Sequence, residues 1–367
     1  MKNRLIFFRC DSSFDIGTGH VMRCLTLANS LKNLGARCRF ICREFEGNLI
    51  GYIKRMGYEV RVLPAISDSV KPTCDEGLPY YYSWLGCVWE DDAAQTINSI
   101  AEEMPDWLVV DHYAIDKSWE ASVTPFCVNI FVIDDLADRA HQCEILLDQS
   151  PSRKKSEYKR LVPSDTRLLV GGDYALFRPE FDQARSASLR RRTTNSLERI
   201  LISLGGVDKN NMSSAVLSAL GRLGDAASLQ VSVVLGPSAP HLDEVERLSK
   251  TLPFETSILS DVRNMSAVMT DHDLAIGAAG TTSLEFCVLG LPSILLILAE
   301  NQISNAQALA HAGAVDICPS DLPLDSNLQA SLEKFQCEET LRKYSRSASS
   351  AIRGGGVQLV VKEMMHE

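Results

Sequence analysis

Residues 5–33, LIFFRCDSSFDIGTGHVMRCLTLANSLKN, decide the fold of this chain. The apolar run Leu5–Phe8 predicts a first strand, and an amphipathic helical pattern begins at His20. Between them lies a loop that ends in Gly17-Thr18-Gly19. A strand, a glycine-containing loop and a helix start form the place where α/β proteins receive phosphorylated ligands, because the free N–H groups of the first turn attract anions. We therefore expect the His20 imidazole to face a ligand and to act as a base on a nucleotide-linked substrate.

Short apolar runs alternate with helical patterns along both halves of the chain, which is typical of parallel sheets covered by helices. The predicted strands are Leu5–Phe8, Cys38–Cys42, Glu59–Leu63, Trp107–Val110, Val128–Ile133, Ile145–Leu147, Ile200–Ser203, Val231–Leu235, Thr256–Leu259, Leu274–Ile276, Ile294–Ile297 and Val315–Ile317. The predicted helices are His20–Asn33, Leu49–Met56, Asp91–Glu103, Met212–Leu220, Asp243–Lys250, Thr282–Leu289, Asn305–Ala312 and a last one near Cys337–Ile352. Two such arrays predict an α/β chain with two doubly wound, Rossmann-like domains that face each other across a cleft.

The length of 367 residues also fits two domains. Composition changes between Arg178 and Glu198, where Ala, Ser, Arg and Thr replace the apolar periodicity. We place an N-terminal domain at 1–178, a linker at 179–198 and a C-terminal domain at 199–367. The sequence leaves open whether the last helix packs back on the N-terminal domain.

The charge balance limits the partners of this chain. The net charge is −10, and no basic run is interleaved with aromatic residues, so neither nucleic acid nor an anionic membrane surface is expected as a partner. The longest apolar stretch, Val288–Ala299, is interrupted by Gly290 and Pro292 and is too short to span a bilayer. Eleven scattered cysteines without a Cys-x-x-Cys pair predict buried thiols in a reducing cytoplasm. We expect a cytoplasmic protein with a small-molecule substrate; its oligomeric state stays open.

Two further glycine loops follow predicted strands in the C-terminal half. Ile200–Ser203 leads into Gly205 and Gly206, and Leu274–Ile276 leads into Gly280-Thr281-Thr282-Ser283 at a helix start. Glycines let the backbone approach a phosphate, and the helix dipole then favours the negative charge. The alternative is a small-residue turn that only packs a helix onto a sheet. The occurrence of two such loops in one domain, with a third in the other, favours phosphate binding.

Polar residues near these loops are candidates for holding the rest of a nucleotide. Glu285 lies one turn into the helix, where its carboxylate can accept hydrogen bonds from ribose hydroxyls. Asn301 and Gln302 follow the strand Ile294–Ile297 and can reach a ligand, cap the next helix, or do both. No Gly-x-Gly-x-x-Gly follows the first strand and no Gly-Lys-Ser/Thr loop occurs. We therefore predict no NAD, no ATP chemistry and no other cofactor.

Acidic and histidine residues at strand ends complete the candidates. Asp111-His112-Tyr113 and Asp134-Asp135 follow predicted strands at the same sheet edge as His20. Adjacent strand residues point to opposite faces, so at most one residue of the aspartate pair should face the site. Asp271-His272-Asp273 spells the Asp-x-Asp of metal-dependent sugar transferases, but it precedes its strand. We interpret it as a solvated turn and predict no metal site.

The N-terminal signature resembles that of the PseG family, the UDP-2,4-diacetamido-2,4,6-trideoxy-β-L-altropyranose hydrolases of pseudaminic acid biosynthesis. The matching residues are Asp11-Ser12-Ser13, Ile16-Gly17-Thr18-Gly19-His20, Arg23, Glu46–Ile50, Asp111-His112-Tyr113, Asp134-Asp135, Tyr174-Ala175-Leu176, Arg178 and Asn301-Gln302. Ala114 departs from the glycine that often follows Asp-His-Tyr in this family. The family is itself similar to MurG, a glycosyltransferase of GT-B architecture, and this resemblance implies the same architecture here.

The resemblance also implies an activity. UDP would bind the C-terminal domain, with uracil and ribose near Glu285 and the diphosphate at the Gly280–Ser283 helix start. The sugar would reach the N-terminal loop, where His20 would take a proton from water as that water attacks C1 with inversion. UDP and the free hexose would then be released, without a metal. We expect a carboxylate to orient His20, with Asp11 of the same loop as the candidate.

Signature matching adds further substrate-binding candidates: Asp11, Gly17, Gly19, Arg23, Tyr113, Asn301 and Gln302. Two alternatives remain open. A GT-B glycosyltransferase with a UDP-sugar donor would need an acceptor groove, or an apolar or basic face for a lipid acceptor, and the N-terminal half of the sequence contains no such patch. A nucleotide-sugar binding subunit without catalysis would have no use for His20. Spore-coat polysaccharide proteins carry the same broad signature.

Overall fold

The computed structural model describes residues 2–65, 79–100, 102–193, 196–223, 228–236, 239–319 and 323–365. The chain divides into two compact units, which we call the N-terminal domain (Met1–Leu176 with Gly355–Glu367) and the C-terminal domain (Phe177–Gly354). Each unit is built on one parallel sheet. The prediction of two doubly wound α/β domains is therefore confirmed.

The N-terminal sheet has seven strands in the order β3-β2-β1-β4-β5-β6-β7. They are β1 (Leu5–Cys10), β2 (Arg37–Arg43), β3 (Glu59–Leu63), β4 (Trp107–Asp111), β5 (Asn129–Ile133), β6 (Ile145–Asp148) and β7 (Arg167–Val170). The sequence predicted the first six. It missed β7, because this edge strand has four residues and buries only Leu169.

The helices of this domain are α1 (Gly19–Asn33), α2 (Ile50–Arg55), α3 (Trp89–Ile100), α4 (Lys117–Val123) and α5 (Lys155–Tyr158), with a 3₁₀ helix at Tyr80–Leu85. The face of α1 that includes Val21, Cys24 and Leu31 is buried. Gly35 follows the end of α1 with φ +87°. Glycine is favoured at this position, because the left-handed conformation that ends a helix costs glycine no steric strain. The sequence did not predict α4 and α5, which have seven and four residues.

The C-terminal sheet has the order β10-β9-β8-β11-β12-β13. Its strands are β8 (Arg199–Ser203), β9 (Gln230–Leu235), β10 (Glu255–Ser260), β11 (Leu274–Ala278), β12 (Ser293–Leu296) and β13 (Asp316–Ile317), all of them predicted. Its helices are α6 (Pro179–Arg191), α7 (Met212–Gly221), α8 (Leu242–Ser249), α9 (Met265–Asp271), α10 (Thr281–Val288), α11 (Ile303–His311), α12 (Leu324–Phe335) and α13 (Glu338–Ala351).

The segment expected to be a linker, 179–198, differs from the prediction. Helix α6 occupies most of it, with Pro179 in the first turn, where a missing N–H costs nothing. Phe181 and Ser188 are buried, and Arg185 donates to the carbonyls of Ser349 and Ile352 at 2.7 and 3.1 Å. The sequence pattern did not predict this helix, because arginine–carbonyl hydrogen bonds hold it in place and it has no wide apolar face.

The expected last helix, Cys337–Ile352, is α13, but a further helix, α14 (Gly356–Met365), follows it. Val357, Val360, Val361 and Met364 of α14 lie in the hydrophobic core of the N-terminal domain, together with residues of α1. The start of α14 packs closely against the backbone of residues 174–175, because a Cβ on Gly356 would lie 2.3 Å from the Ala175 carbonyl oxygen. The C-terminal segment is thus part of the first domain.

The ten cysteines of the described residues are free thiols, and all except Cys337 are buried. Cys74, also expected to be buried, lies outside those residues. Among the parts of the chain that the structure describes, no helix combines the length and the apolar character needed to cross a bilayer.

Both sheets reverse their strand order at one point, between β1 and β4 and between β8 and β11. In open α/β sheets, ligands bind at the carboxyl ends of the strands beside such a switch point. Cys10 pairs with Asp111 at the first of these ends, and Ser203 pairs with Gly277 at the second. The predicted histidine loop and the two predicted glycine loops therefore follow the switch-point strands.

Candidate active site

The centre of the N-terminal site is a hydrogen bond between His20 and Asp111. His20 lies in the first turn of α1, and its Nδ1 is 2.6 Å from Asp111 Oδ1. Burial favours the neutral form of Asp111, but Arg23 and His20 outweigh it and hold the pKa of this carboxyl well below its usual range. An ionised carboxylate can only accept, so the shared proton belongs to Nδ1. In the neutral imidazole, the other ring nitrogen, Nε2, then carries the lone pair that can accept a proton.

Arg23 holds the Asp111 carboxylate in place. Its Nε and Nη2 donate to the two Asp111 oxygens at 2.6 and 2.7 Å, and its Nη1 donates to Asp135 Oδ2 at 2.5 Å. The residue is 4% exposed. The sequence analysis expected Arg23 among the substrate contacts. Because each of its nitrogens bonds a carboxylate, we assign it instead as a positioning residue.

Asp11 does not orient His20, contrary to the expectation from its nearness in sequence. It is fully buried, its Oδ2 is 2.8 Å from Arg9 Nη1, and its Oδ1 accepts from the Arg43 backbone N–H at 2.7 Å. Arg9 and Arg43 also bind Asp92, at 2.7 and 2.6 Å. Asp11 thus belongs to a buried ion network and is not available to a substrate, and the role expected for it falls to Asp111.

Tyr113 lies against the imidazole, with ring centroids 4.6 Å apart and an interplanar angle of 82° to His20. Its hydroxyl donates to Asp135 Oδ2 at 3.0 Å. Trp84 stacks on Tyr113, with ring centroids 5.8 Å apart and an interplanar angle of 24°. The structure therefore places Tyr113 beside His20, and its contact with a substrate stays a prediction. It also adds Trp84, which the sequence analysis missed because no motif marks it.

Asp134 and Asp135, which follow β5, have different partners, as expected for adjacent residues whose side chains point to opposite faces of a sheet. Asp135 faces Arg23, whereas Asp134 accepts from the Tyr158 hydroxyl at 2.8 Å and pairs with Arg139 at 2.9 Å. His112 is buried, and its Nδ1 accepts from the Ala114 N–H at 3.1 Å. Burial and nearby cationic groups lower the pKa of His112 well below its usual value. His112 is thus a neutral structural histidine.

The loop before α1 is shaped by a serine and a glycine. Ser13 Oγ accepts from the N–H groups of Asp15 and Ile16 at 3.1 and 2.9 Å, and Gly17 has φ +79°. A Cβ on Gly17 would meet no described atom within 4 Å. Helix α1 begins at Gly19, and Thr18 makes no side-chain capping bond to any described residue. The loop thus presents an uncapped helix start next to His20.

The second switch point carries two open glycine loops. Gly205, with φ +100°, and Gly206 are exposed, and a Cβ on either would meet no described atom within 4 Å. The Gly206 carbonyl accepts from the Gly236 N–H at 2.8 Å, which holds this loop against the end of β9. Gly280 precedes α10 in an extended conformation with the same open space. These positions have room for a ligand close to the backbone.

The hydroxyl side chains in the first turn of α10 differ in exposure and in hydrogen bonding. Thr281 is exposed and Thr282 is half-buried. Ser283 is buried, its Oγ donates to the Gly280 carbonyl at 2.6 Å, and Asn305 donates to that Oγ at 2.9 Å. Ser283 was expected to bind phosphate, but its side chain is already used within the turn. Thr281 and Thr282 remain the candidates.

Glu285 is half-buried in α10, with Oε1 3.5 Å from an Arg178 guanidinium nitrogen. Burial raises its pKa to about 7, and Arg178 opposes that shift. Gln302 Oε1 accepts from the Leu298 N–H at 3.0 Å, so its amide oxygen shapes the local turn. Asn301 is half-buried in the short 3₁₀ turn Glu300–Gln302 that precedes α11. The position of Asn301 and Gln302 is compatible with both interpretations, a ligand contact and a helix start.

The Asp-x-Asp sequence lies at the amino end of β11, as predicted, but it is not a solvated turn. Asp273 is buried, accepts from the backbone N–H groups of Glu198 and Arg199, and pairs with Arg191 at 2.7 Å. Among the described residues, no three histidine, cysteine, aspartate or glutamate side chains are grouped as metal ligands. Asp273 thus serves to join α6 to the sheet.

Known proteins resemble this chain in sequence and fold. Residues 199–358 match the glycosyltransferase family 28 C-terminal domain. The UDP-2,4-diacetamido-2,4,6-trideoxy-beta-L-altropyranose hydrolase of Campylobacter jejuni is 28% identical over 84% of this chain and 97% of its own length. The uncharacterized protein MJ1062 of Methanocaldococcus jannaschii is 24% identical over 80% of this chain, which spans about half (55%) of MJ1062.

Among solved structures, MurG of Acinetobacter baumannii has a TM-score of 0.67 at 14% identity and matches 99% of each chain. At this identity the likeness concerns the fold alone. Residues 199–358 are thus similar to the glycosyltransferase family 28 C-terminal domain, most of the chain is similar in sequence to the Campylobacter hydrolase, and the two-domain α/β fold is MurG-like.

Proposed function

We propose that this protein is an enzyme that hydrolyses a UDP-linked 2,4-diacetamido-2,4,6-trideoxyhexose at C1, as a step of pseudaminic acid biosynthesis. The observation that carries the proposal is the 2.6 Å contact of His20 Nδ1 with Asp111, which leaves Nε2 as a base at a switch point of the sheet. The sequence relationship with the Campylobacter hydrolase supports the choice of substrate.

In the proposed reaction, His20 Nε2 takes a proton from a water molecule. The water oxygen forms a bond to C1 of the sugar, and the bond from C1 to the phosphate oxygen breaks with its electron pair leaving on UDP. Attack from the side opposite to UDP inverts the configuration at C1. Asp111 then stabilises the imidazolium that forms, because its carboxylate faces the protonated Nδ1.

The C-terminal domain is the proposed site for UDP. The N–H groups at the start of α10, with Thr281 and Thr282, would hold the diphosphate, since a helix N-terminus carries partial positive charge. The open glycine loop at Gly205 and Gly206 would give the phosphates room beside the backbone. Glu285 would accept from the ribose hydroxyls. These backbone dipoles would stabilise the leaving group without a metal.

A second candidate function is transfer of the sugar from UDP to an acceptor. The match of residues 199–358 to a glycosyltransferase domain and the likeness to MurG support it. The His20–Asp111 pair would serve equally as the base for an acceptor hydroxyl. The two functions differ in whether the sugar is released when only water is present.

Incubation with the UDP-linked diacetamido-trideoxyhexose in the absence of any acceptor tests the proposal. We expect ¹H NMR to show stoichiometric UDP and free hexose, with the first-formed anomer inverted relative to the substrate. Parallel reactions in EDTA and in Mg²⁺ are expected to proceed at equal rates. Release only after an acceptor is added would contradict hydrolysis and favour transfer, and activity only in Mg²⁺ would contradict the metal-free reaction.

Replacing Glu285 by Ala is expected to raise the KM for the UDP-sugar about 10- to 100-fold and to leave kcat within about twofold, because hydrogen bonds to a charged group contribute roughly 1.5–3 kcal/mol. Since burial raises the pKa of Glu285 to about 7, the wild-type KM should also rise as the pH falls from 8 to 6 and the carboxylate is protonated. Steady-state kinetics across this range check both effects. Glu246→Ala, at an exposed position on α8, is the matched control. A selective loss of kcat would contradict the ribose role.

A further inference from the structure

A group of aromatic side chains lies beside His20 and has no part in the proposed proton transfer. We call Tyr80, Trp84 and Tyr113 the aromatic wall. The Trp84 ring centroid is 6.4 Å from that of His20 at 78°, and Trp84 stacks on Tyr113 at 5.8 Å. Tyr80 contacts the indole edge-on at 5.6 Å. The wall therefore borders the imidazole that the reaction requires.

Contacts of the 3₁₀ helix Tyr80–Leu85 hold the wall in position. Tyr80 and Trp84 lie on the 3₁₀ helix Tyr80–Leu85, which Gly86 ends with φ +78°. Tyr81, on the same helix, is buried, hydrogen-bonded to Asp138 and 6.0 Å from the Tyr113 ring. Leu85 is buried in the core next to the sheet. These contacts set the position of the indole relative to His20.

Two members of the wall keep part of their surface accessible. Tyr80 is 42% exposed and Trp84 is half-buried, although both are large aromatic residues. Within the described part of the chain, no residue accepts a hydrogen bond from the indole N–H. Aromatic surface next to a few polar groups is typical of the lining of a small-molecule site, and indole offers an apolar face together with one donor.

We propose that Trp84 and Tyr80 form the subsite for the sugar and select its methyl groups. This inference rests on the proposed function. When C1 lies one water molecule away from His20 Nε2, the substituents of the hexose are within reach of the neighbouring indole. A 2,4-diacetamido-2,4,6-trideoxyhexose carries three methyl groups and lacks the 6-hydroxyl, so it presents more apolar surface than an ordinary hexose.

The expected specificity follows from this surface. The wall buries the methyl groups of the preferred sugar, whereas UDP-N-acetylglucosamine would place a 6-hydroxyl and a 4-hydroxyl against aromatic carbon. Discrimination of one apolar group in such a pocket is about 10- to 200-fold. Trp84 thus acts on the choice of sugar, and its loss should not affect the binding of UDP.

Trp84→Ala tests the wall, with Trp84→Phe as the conservative variant. Trp89→Ala is the matched control, since it removes an exposed tryptophan at the start of α3, outside the wall. We expect Trp84→Ala to lower kcat/KM for the diacetamido substrate about 10- to 100-fold and to lower its ratio to UDP-N-acetylglucosamine at least tenfold. Trp84→Phe should restore most of that ratio. UDP inhibition and the Trp89→Ala kinetics should match the wild type.

A binding measurement keeps this test separate from that of the proposed function. The His20→Ala variant, mixed with the intact UDP-sugar, is studied by saturation-transfer NMR with irradiation of the protein aromatic protons. We expect saturation at the sugar methyl groups in this variant. The saturation should be lost when Trp84→Ala is combined with His20→Ala, and it should be retained when Trp89→Ala is combined with His20→Ala. If the wild type hydrolyses neither nucleotide sugar, the proposed function fails and this measurement alone decides the wall. Methyl saturation that does not depend on Trp84, or an equal kinetic loss for both sugars, would overturn the inference.

Discussion

His20→Asn is expected to lower kcat for UDP-sugar hydrolysis by about 10²- to 10⁴-fold, which is the usual contribution of a general base. The affinity for the intact UDP-sugar should stay within about twofold of the wild type. The physical reason is that the proposed substrate contacts lie elsewhere, whereas the Nε2 lone pair has no substitute at this position. His20→Ala should behave in the same way.

Single-turnover kinetics and isothermal titration with the unreacted substrate separate the two effects. His241→Asn is the matched control, because His241 lies on the C-terminal domain, where its Nε2 contacts the Lys209 carbonyl at 3.1 Å. Turnover of His20→Asn close to the wild-type value would remove this residue from the mechanism. A loss of affinity as large as the loss of kcat would instead make it a binding residue.

Asp111→Asn is expected to have the second-largest effect, with kcat reduced about 10²- to 10⁴-fold. An asparagine amide facing Nδ1 as a donor would move the imidazole proton to Nε2, and the base would be lost. The change also removes one carboxylate from the buried Arg23, which costs up to about 3–5 kcal/mol of unfolding free energy. Asp135, 2.5 Å from Arg23 Nη1, should keep the loss at the lower end.

Urea unfolding and kcat measured well below the melting temperature distinguish lost chemistry from lost stability. Asp135→Asn is the comparison variant, since it weakens the hold on Arg23 but leaves the His20–Asp111 contact in place. We expect it to retain kcat within about tenfold. An equal loss in both variants would mean that Arg23, and not the tautomer of His20, controls the rate. Because the pKa of Asp111 is depressed in the folded state, its contribution to stability should be fully present at neutral pH. It should be lost progressively as the pH falls below the ordinary aspartate pKa of about 4 towards the lower folded-state pKa.

The sequence predicted the parts of this molecule that depend on local patterns. The strand–loop–helix pattern at His20 and the glycine loops at Gly205 and Gly280 are each contained within about 20 consecutive residues. Helix-start physics acts on the same short scale. Continuous apolar runs predicted both parallel sheets for a similar reason, because buried strands must be apolar on both faces.

Partners across the sheet could not be predicted in this way. Asp11 is nine residues from His20 and Asp111 is 91, yet the latter carries the contact, because β1 and β4 are adjacent with Cys10 opposite Asp111. The same register decides that Arg23 faces two carboxylates and not a substrate. Trp84 escaped notice because its role depends on stacking against Tyr113, and spacing in the sequence does not encode that stacking.

The return of α14 to the first domain has a consequence for dissecting this enzyme. A fragment ending at Leu176 would expose the apolar groove that Val360 and Met364 fill. A truncation before Gly356 would likewise remove part of the core of the N-terminal domain, although the deleted residues lie at the other end of the chain. Since Gly356 touches Ala175, a few residues could splice the two segments into a self-contained lobe. The C-terminal domain is, in topological terms, an insertion within the N-terminal domain.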